Sequence, residues 1–256
     1  MREIISTLET ANAEFCADLH THTNFSDGTL TPFDAVDFSE ILGMSSLAIT
    51  DHNRILPSVL AREYAAGRDI EVVVGSEVAS EGGHLVVLFQ QEDIPRGMSI
   101  TSTIISAHEQ DAVVIAAHPM LVRSGIGTKG IQEILDSTDE RVYLDGFEVE
   151  NKGVHDIPRI RYANEAALKV YLELIKEYPD KIGAAIGDSD NHFFGIGRSR
   201  TWYNGNLRDS IKNKQTLVAR NTKFEDLNLI AIAYSKYGEK VMERVRRIRE
   251  IQAAGE

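Results

Sequence analysis

The strongest constraint on the fold is a repeating order in the chain: a short apolar run, an amphipathic stretch, then another apolar run. "FCADLHTHT" reads as a strand. It leads into "TPFDAVDFSEILGM", a helix with Thr31 as N-cap, Pro32 at its first position and Gly43 as its stop. "SSLAIT" is the next strand, and "LPSVLAREYAAG" a helix closed by Gly67. "IEVVVGSEVAS" and "GHLVVLF" form a strand pair around the Gly82-Gly83 turn. The alternation continues through the helix "SITSTIISAHEQ", the strand "AVVIAAH", the helix "GIQEILDST" and the strand "LDGFEVEN". The long helix "IPRIRYANEAALKVYLELIKEY" then feeds the strand "KIGAAIGDSD", followed by "RTWYN" as an edge strand and two further helices. Near-continuous apolar strands alternating with helices predict a mainly parallel α/β sheet, and roughly seven such units predict a barrel of the (β/α) type.

A chain of 256 residues can bury one large core, and no repeat, low-complexity tract or Pro/Gly linker divides it. The expectation is a single domain over 1–256, with C-terminal helices from about residue 206 to 256 packed on the barrel. In the last of them, Val241, Val245 and Ile248 share one stripe, which reads as docking on the body. With 43% hydrophobic and 26% charged residues, disorder is excluded. The formal net charge of −12 disfavours bulk attraction to nucleic acid or to an anionic membrane, so an anionic substrate needs a local positive field. Cys16 is the only cysteine, which rules out an intramolecular disulfide and a cysteine-rich zinc site. No signal-peptide core and no run of transmembrane length is present, so the chain is expected to be a soluble, cytoplasmic protein.

Barrels of this kind place their chemistry at the C-terminal ends of the strands, and here those ends carry the polar residues. His20 and His22 close the first strand, with Asp27 in the loop beyond; Asp51 and His52 end the second, and Glu77 the third. His84 returns to the same rim across the glycine turn, His118 ends "VVIAAH", and Asp188, Asp190 and His192 end "IGAAIGDSDNH". A single histidine at a strand end is usually a hydrogen-bonded surface or core residue. Several imidazoles and carboxylates at one mouth are different, because their desolvation and mutual repulsion are costly without a cation. Histidine nitrogen with carboxylate oxygen suits zinc, manganese or iron, whereas magnesium and calcium sites use oxygen almost alone. His108, in mid-helix, and His155, near a helix start, are set aside as ligands.

Taken together, "DLHTHTNFSDG", "LAITDHN", "GSE" with "GGH", "AAHP" and "GDSDNH" resemble the successive motifs of the polymerase and histidinol phosphatase (PHP) family, in the family's order, over roughly residues 16–200. The resemblance is to its stand-alone metal-dependent phosphoesterases; "TDHN", "GGH" and "DNHFFGIGRSRTW" are also similar to a branch that includes carbaryl-hydrolase-like enzymes. It implies a distorted (β/α)7 barrel holding two to three divalent transition metals. On this resemblance the first metal takes His20, His22, Glu77 and Asp190. The second shares Glu77 and adds His84 and His118, and the third takes Asp27, His52 and His192. Asp18, Asp51 and Asp188 then become candidates to orient the ligating imidazoles, with an ordinary strand-end hydrogen-bond role as the alternative.

The implied activity is hydrolysis of a phosphate mono- or diester (a small phosphate, a nucleotide or a short oligonucleotide end) by a metal-bridging hydroxide. The cations would outweigh the ligand carboxylates Asp27, Glu77 and Asp190 and give a globally acidic protein a positive pocket. Of the basic residues near the rim, Arg54, Arg123, Lys152, Arg198 and Arg200, the best placed to grip phosphate are Arg123 and Arg198, which follow metal motifs by a few residues. Hydrolysis of a carbonyl substrate such as a carbamate or amide is the alternative, and a non-catalytic metal-bound domain a further one. A long nucleic acid is disfavoured, since no aromatic-plus-basic stacking stripe is present.

Overall fold

The computed structural model describes residues 3–6, 13–155, 161–193 and 195–220. Ten strands form one sheet in the order β1-β10-β9-β2-β3-β4-β5-β6-β7-β8. They are β1 (Glu3–Ser6), β2 (Phe15–Asp18), β3 (Ser46–Ile49), β4 (Glu71–Ser80), β5 (Gly83–Leu88), β6 (Val113–Ala116), β7 (Gly146–Asn151), β8 (Ala184–Asp188), β9 (Thr201–Tyr203) and β10 (Leu217–Arg220). Strands β2, β3 and β4 pair in parallel, as do β6, β7 and β8. Between these runs β5 is antiparallel to both neighbours. The ends of the run meet at a seam: Thr21, just past β2, bridges in parallel to Asn191, just past β8, and His22 N–H donates to Asn191 O at 2.8 Å. The result is the expected distorted, nearly closed barrel.

Local sequence explains the covering helices. α1 (Pro32–Ile41) starts with a capping box in which Thr31 Oγ1 accepts from Asp34 N–H at 3.1 Å while the Asp34 carboxylate accepts from Thr31 N–H. α2 (Leu56–Tyr64) ends shortly before Gly67 at φ +80°. α3 (Ile100–Glu109) is capped by Ser99, α4 (Gly127–Asp136) follows β6, and the single turn α5 (Lys152–His155) follows β7. α6 (Tyr162–Glu177) buries Ala163, Ala167, Leu168 and Tyr171, one stripe of its surface. α7 (Leu207–Lys212) is the first of the two expected C-terminal helices; the second lies outside the described residues.

Strand alternation divides the apolar residues into an interior and an outer layer. Val113, Ile115 and Ala117 on β6 and its extension, with Ala184 and Ile186 on β8, Ala48 on β3 and Ala17 on β2, fill the inside. Val114 and Ala116 face outward against α3, α4 and α6, and Leu47 and Ile49 face α1 and α2. Two expectations need correcting at the amino-terminal side of β2. "RTWYN" is an interior strand of the sheet, paired antiparallel with both β2 and β10, and the chain after α7 forms β10 before any further helix. Cys16 is buried at 3% exposure.

Candidate metal centre

Every strand end named above delivers its side chain to one mouth. The loop bearing Asp27 is shaped by Gly28, whose N–H donates to Thr23 O at 2.9 Å; a Cβ there would lie 2.3 Å from His22 O. The β4–β5 turn needs Gly83, at φ +141°, because a Cβ would lie 2.5 Å from Ile126 N; this close approach carries His84 to the rim. His118 and Asp190 turn into the mouth with positive φ, +29° and +45°, a strained region for residues other than glycine.

Glu77 is the hub. Its Oε1 lies 2.8 Å from His84 Nδ1 and 2.9 Å from His118 Nε2. Its Oε2 lies 3.0 Å from His52 Nδ1, 3.3 Å from His22 Nε2 and 3.5 Å from His20 Nε2. Asp190 Oδ1 is 3.4 Å from both His20 Nε2 and His22 Nε2, and those two nitrogens face each other at 3.1 Å. At the outer edge Asp27 Oδ2 is 3.3 Å from both His52 Nε2 and His192 Nε2, and Asp27 Oδ1 is 3.5 Å from His22 Nδ1. All nine residues expected to bind metal are therefore gathered. The grouping is more interlocked than three separate sets: His22 also approaches Asp27, and His52 also approaches Glu77 and His84.

This donor set fits divalent cations. Ligands about 2.0–2.1 Å from a tetrahedral ion lie roughly 3.4 Å apart, and the spacings among His20, His22, Glu77 and Asp190 run from 3.1 to 3.5 Å. Asp190 Oδ1 is buried and receives no hydrogen bond, which is costly unless a cation faces it. Burial is graded: the His20 and His22 side chains are fully buried, His52, His84 and His192 are partly open, and Asp27 is 52% exposed. The centre is closed at its inner end and open at the Asp27 side.

Of the three aspartates considered for orienting imidazoles, Asp51 and Asp18 take the alternative, hydrogen-bonding loops. Asp51 accepts from Thr23 N–H at 2.9 Å, Thr23 Oγ1 at 2.6 Å and the Ser26 hydroxyl, and so shapes the loop that carries Asp27. Asp18 accepts from Ser189 N–H at 3.0 Å and Gly197 N–H at 2.7 Å, tying β2 to the loop after β8. Asp188 is buried beside Glu148, and burial together with that neighbouring carboxylate pushes its carboxyl well above the usual range. The carboxylate that does touch an imidazole is Glu148, 2.8 Å from His20 Nδ1. Of the rim bases, Arg200 turns away from the mouth, donating to Gly197 O at 2.8 Å and Leu42 O at 3.4 Å. Arg123 is exposed in the loop whose Ser124 O accepts from His84 N–H at 2.7 Å; Arg198 is half-buried in the loop after β8. His108 lies apart from the mouth, bonded to Asp145 at 3.0 Å and stacked on Tyr143, and the His155 side chain is outside the described residues.

Without cations, His20, His52, His118 and His192 hold protons more tightly than a free histidine. Hydrogen bonds to Asp27 and Glu77 outweigh burial and push His52 up to about 10. Burial would lower His20, but the Asp190, Glu77 and Glu148 carboxylates raise it well above the ordinary histidine range. Burial would raise Glu77, yet the surrounding imidazoles hold it well below the carboxylate norm. For His52, the stabilisation of the metal-free fold is complete below its unfolded value of about 6.5 and is lost as pH rises through about 10. A cation competes with that proton, so metal affinity is expected to rise with pH over the same window and uptake at neutral pH to release protons. Titration calorimetry with Mn²⁺ in buffers of different ionisation enthalpy should give heats that track the buffer; buffer-independent heats would contradict the protonated imidazoles.

A barrel whose strand ends meet in a mouth of nine side chains able to bind metal defines a class: proteins with clustered metal-binding groups at the barrel mouth. The chain belongs to the PHP domain family, whose model matches residues 18–228. An uncharacterized protein of Methanocaldococcus jannaschii is 32% identical over 179 residues, 64% of this chain and 94% of the relative. A two-domain protein from Bacteroides vulgatus containing a predicted PHP-like metal-dependent phosphoesterase superposes with TM-score 0.60 at 20% identity, over 82% of this chain and 66% of that one. An amidohydrolase from Chromobacterium violaceum, with bound sulfate and no metal, superposes with TM-score 0.56 at 16% identity, over 77% of this chain and 96% of that one. Both likenesses establish the fold.

Proposed function

We propose that this protein is a metal-dependent phosphoesterase that hydrolyses a small phosphate mono- or diester, such as a nucleotide or the end of a short oligonucleotide. The observation that carries the reading is the convergence of five imidazoles on the two oxygens of Glu77, at 2.8–3.5 Å. Family membership and the phosphoesterase named among its structural neighbours support it. Zinc, manganese or iron fits the donor set, with His20, His22, Glu77 and Asp190 holding one ion, Glu77, His84 and His118 a second, and Asp27, His52 and His192 a third. Bound there, such cations lower the pKa of water toward neutrality and offset the charge of a phosphate.

The chain's own contribution is placement. The buried His20–His22 end fixes the ligands and excludes solvent, while the exposed Asp27 corner, with His52 and His192, is the side by which substrate enters. Phe25 and Phe193, 37% and 62% exposed and close in sequence to Asp27 and His192, give that corner an apolar margin suited to a base or an aryl group. Arg123 and Arg198 bind the phosphate from the rim. Arg198→Ala is expected to raise KM for a phosphate ester about tenfold, the size of a lost charge-assisted hydrogen bond, with kcat little changed; an unchanged KM removes Arg198 from substrate binding.

The same centre can direct water at a carbonyl carbon, and the amidohydrolase among the neighbours favours that second reading. Rates for an aryl phosphate, a phosphate diester, a short RNA, a single-stranded DNA and a carbamate, each with Mn²⁺, separate the two. Phosphate esters should lead. Preference for the carbamate would overturn the phosphoesterase reading.

A further inference from the structure

The inward-facing side of β7 carries a polar pair that the ligand set does not use. Glu148, 1% exposed, and Asn151, also 1% exposed, lie beneath the mouth, and together they reach three ligands from three other strand ends. Glu148 Oε1 is 2.8 Å from His20 Nδ1. Its Oε2 accepts from the His118 backbone N–H and from Asn151 Nδ2 at 2.9 Å. Asn151 Nδ2 also donates to Asp190 Oδ2 at 3.2 Å. The asparagine cannot usefully flip, because its Oδ1 accepts from Val154 N–H at 2.9 Å, which leaves the amide nitrogen facing the two carboxylates. Its backbone is clamped in turn by Asn164 of α6, which accepts from Asn151 N–H and donates to Asn151 O.

We propose that Glu148 and Asn151 are the positioning residues of the metal centre, a strut on β7 that fixes the imidazole of His20, the backbone of His118 and the carboxylate of Asp190 in one register. An ionised carboxylate only accepts hydrogen bonds, so Glu148 holds the proton of His20 on Nδ1 and leaves Nε2 as the nitrogen offered to a cation. Asn151 performs the matching task for Asp190, occupying Oδ2 so that Oδ1 remains open; that oxygen receives no hydrogen bond. This inference rests on the reading of the mouth as a metal site but not on the substrate. Its test therefore reads metal binding, and it can fail while phosphoester hydrolysis stands.

Glu148→Gln is nearly isosteric but places an NH₂ against partners that are all donors. Either His20 must turn its proton to Nε2, blocking the ligand atom, or the His118 and Asn151 donors lose their acceptor. The measurements are Mn²⁺ affinity of the full chain by calorimetry, the melting temperature of the metal-free protein, and the proton signal of the His20 ring by ¹⁵N-edited NMR of the Zn²⁺-loaded protein. The variant is expected to bind Mn²⁺ about 10–100-fold more weakly, the usual effect of losing such a partner, and to lose the downfield Nδ1–H signal of wild type, with a metal-free melting temperature close to wild type. Unchanged affinity with the signal retained would overturn the proposal. Asn151→Ala supplies a second reading through Asp190 if Glu148→Gln does not fold. It should also weaken Mn²⁺ binding, and wild-type affinity in a folded Asn151→Ala would count against the strut.

Discussion

Glu77→Ala is expected to abolish turnover, lowering kcat/KM by about 10³-fold or more, and to strip the protein of most of its bound metal. Among the described residues, no other carboxylate meets as many of the candidate ligands. Through two oxygens Glu77 meets imidazoles of His20, His22, His52, His84 and His118, which come from four separate regions of the barrel rim. Alanine would leave those rings facing one another around a void with no anion to share a cation between them. The backbone at this position is set by strand pairing, with Glu77 N–H donating to Thr50 O at 3.1 Å, so far-UV circular dichroism should remain close to wild type. Elemental analysis and turnover are the measurements. Wild-type activity, or a full complement of metal, would remove Glu77 from the centre of the assignment.

Loading the chelator-treated protein with Zn²⁺ or Mn²⁺ is expected to raise its melting temperature by roughly 8–16 °C per independently filled site. Ligand at 1,000 times its Kd contributes about 4 kcal/mol, and about 2–4 °C accompanies each kcal/mol for a chain of this size. The ions would relieve what the metal-free mouth endures: a buried Asp190 Oδ1 that receives no hydrogen bond, and two imidazole nitrogens opposed at 3.1 Å. Differential scanning calorimetry across a metal titration checks this. A melting temperature indifferent to every divalent transition metal would mean that the mouth is held together by protons alone.

Much of this was legible in the chain, and the reasons are specific. The N-cap at Thr31 and the stop at Gly43 act within a few residues, so local sequence suffices for α1. The strand-end histidines and carboxylates could be read as candidates because such residues are costly, and so conspicuous, on apolar strands; the resemblance to the family selected nine of them. Glu148 was passed over although it carried a signal: a charged residue on a strand, Gly146–Asn151, buried along its whole length. Its meaning depends on which way β7 faces, a property set by pairing with β6 and β8 rather than by the strand itself. Asp51 and Asp18 could not be placed between an orienting and an ordinary hydrogen-bonding role, for a related reason. They sit beside ligands in sequence, but the nearest donors are backbone amides and hydroxyls of loops that only the folded chain brings within reach. The place of β9 between β2 and β10 likewise depends on β10, whose short stretch Leu217–Arg220 carries little pattern of its own.

The junction between Thr21 and Asn191 has a consequence for how the protein is assembled. A single parallel bridge joins the first and last strands of the barrel run there, and ligands flank it on both sides: His20 and His22 on one, Asp190 and His192 on the other. An ion held by His20, His22 and Asp190 would thus span the joint that closes the hoop. The hoop can be drawn tight only after synthesis has passed Asn191, so the candidate ligands on its two sides meet only once most of the chain exists.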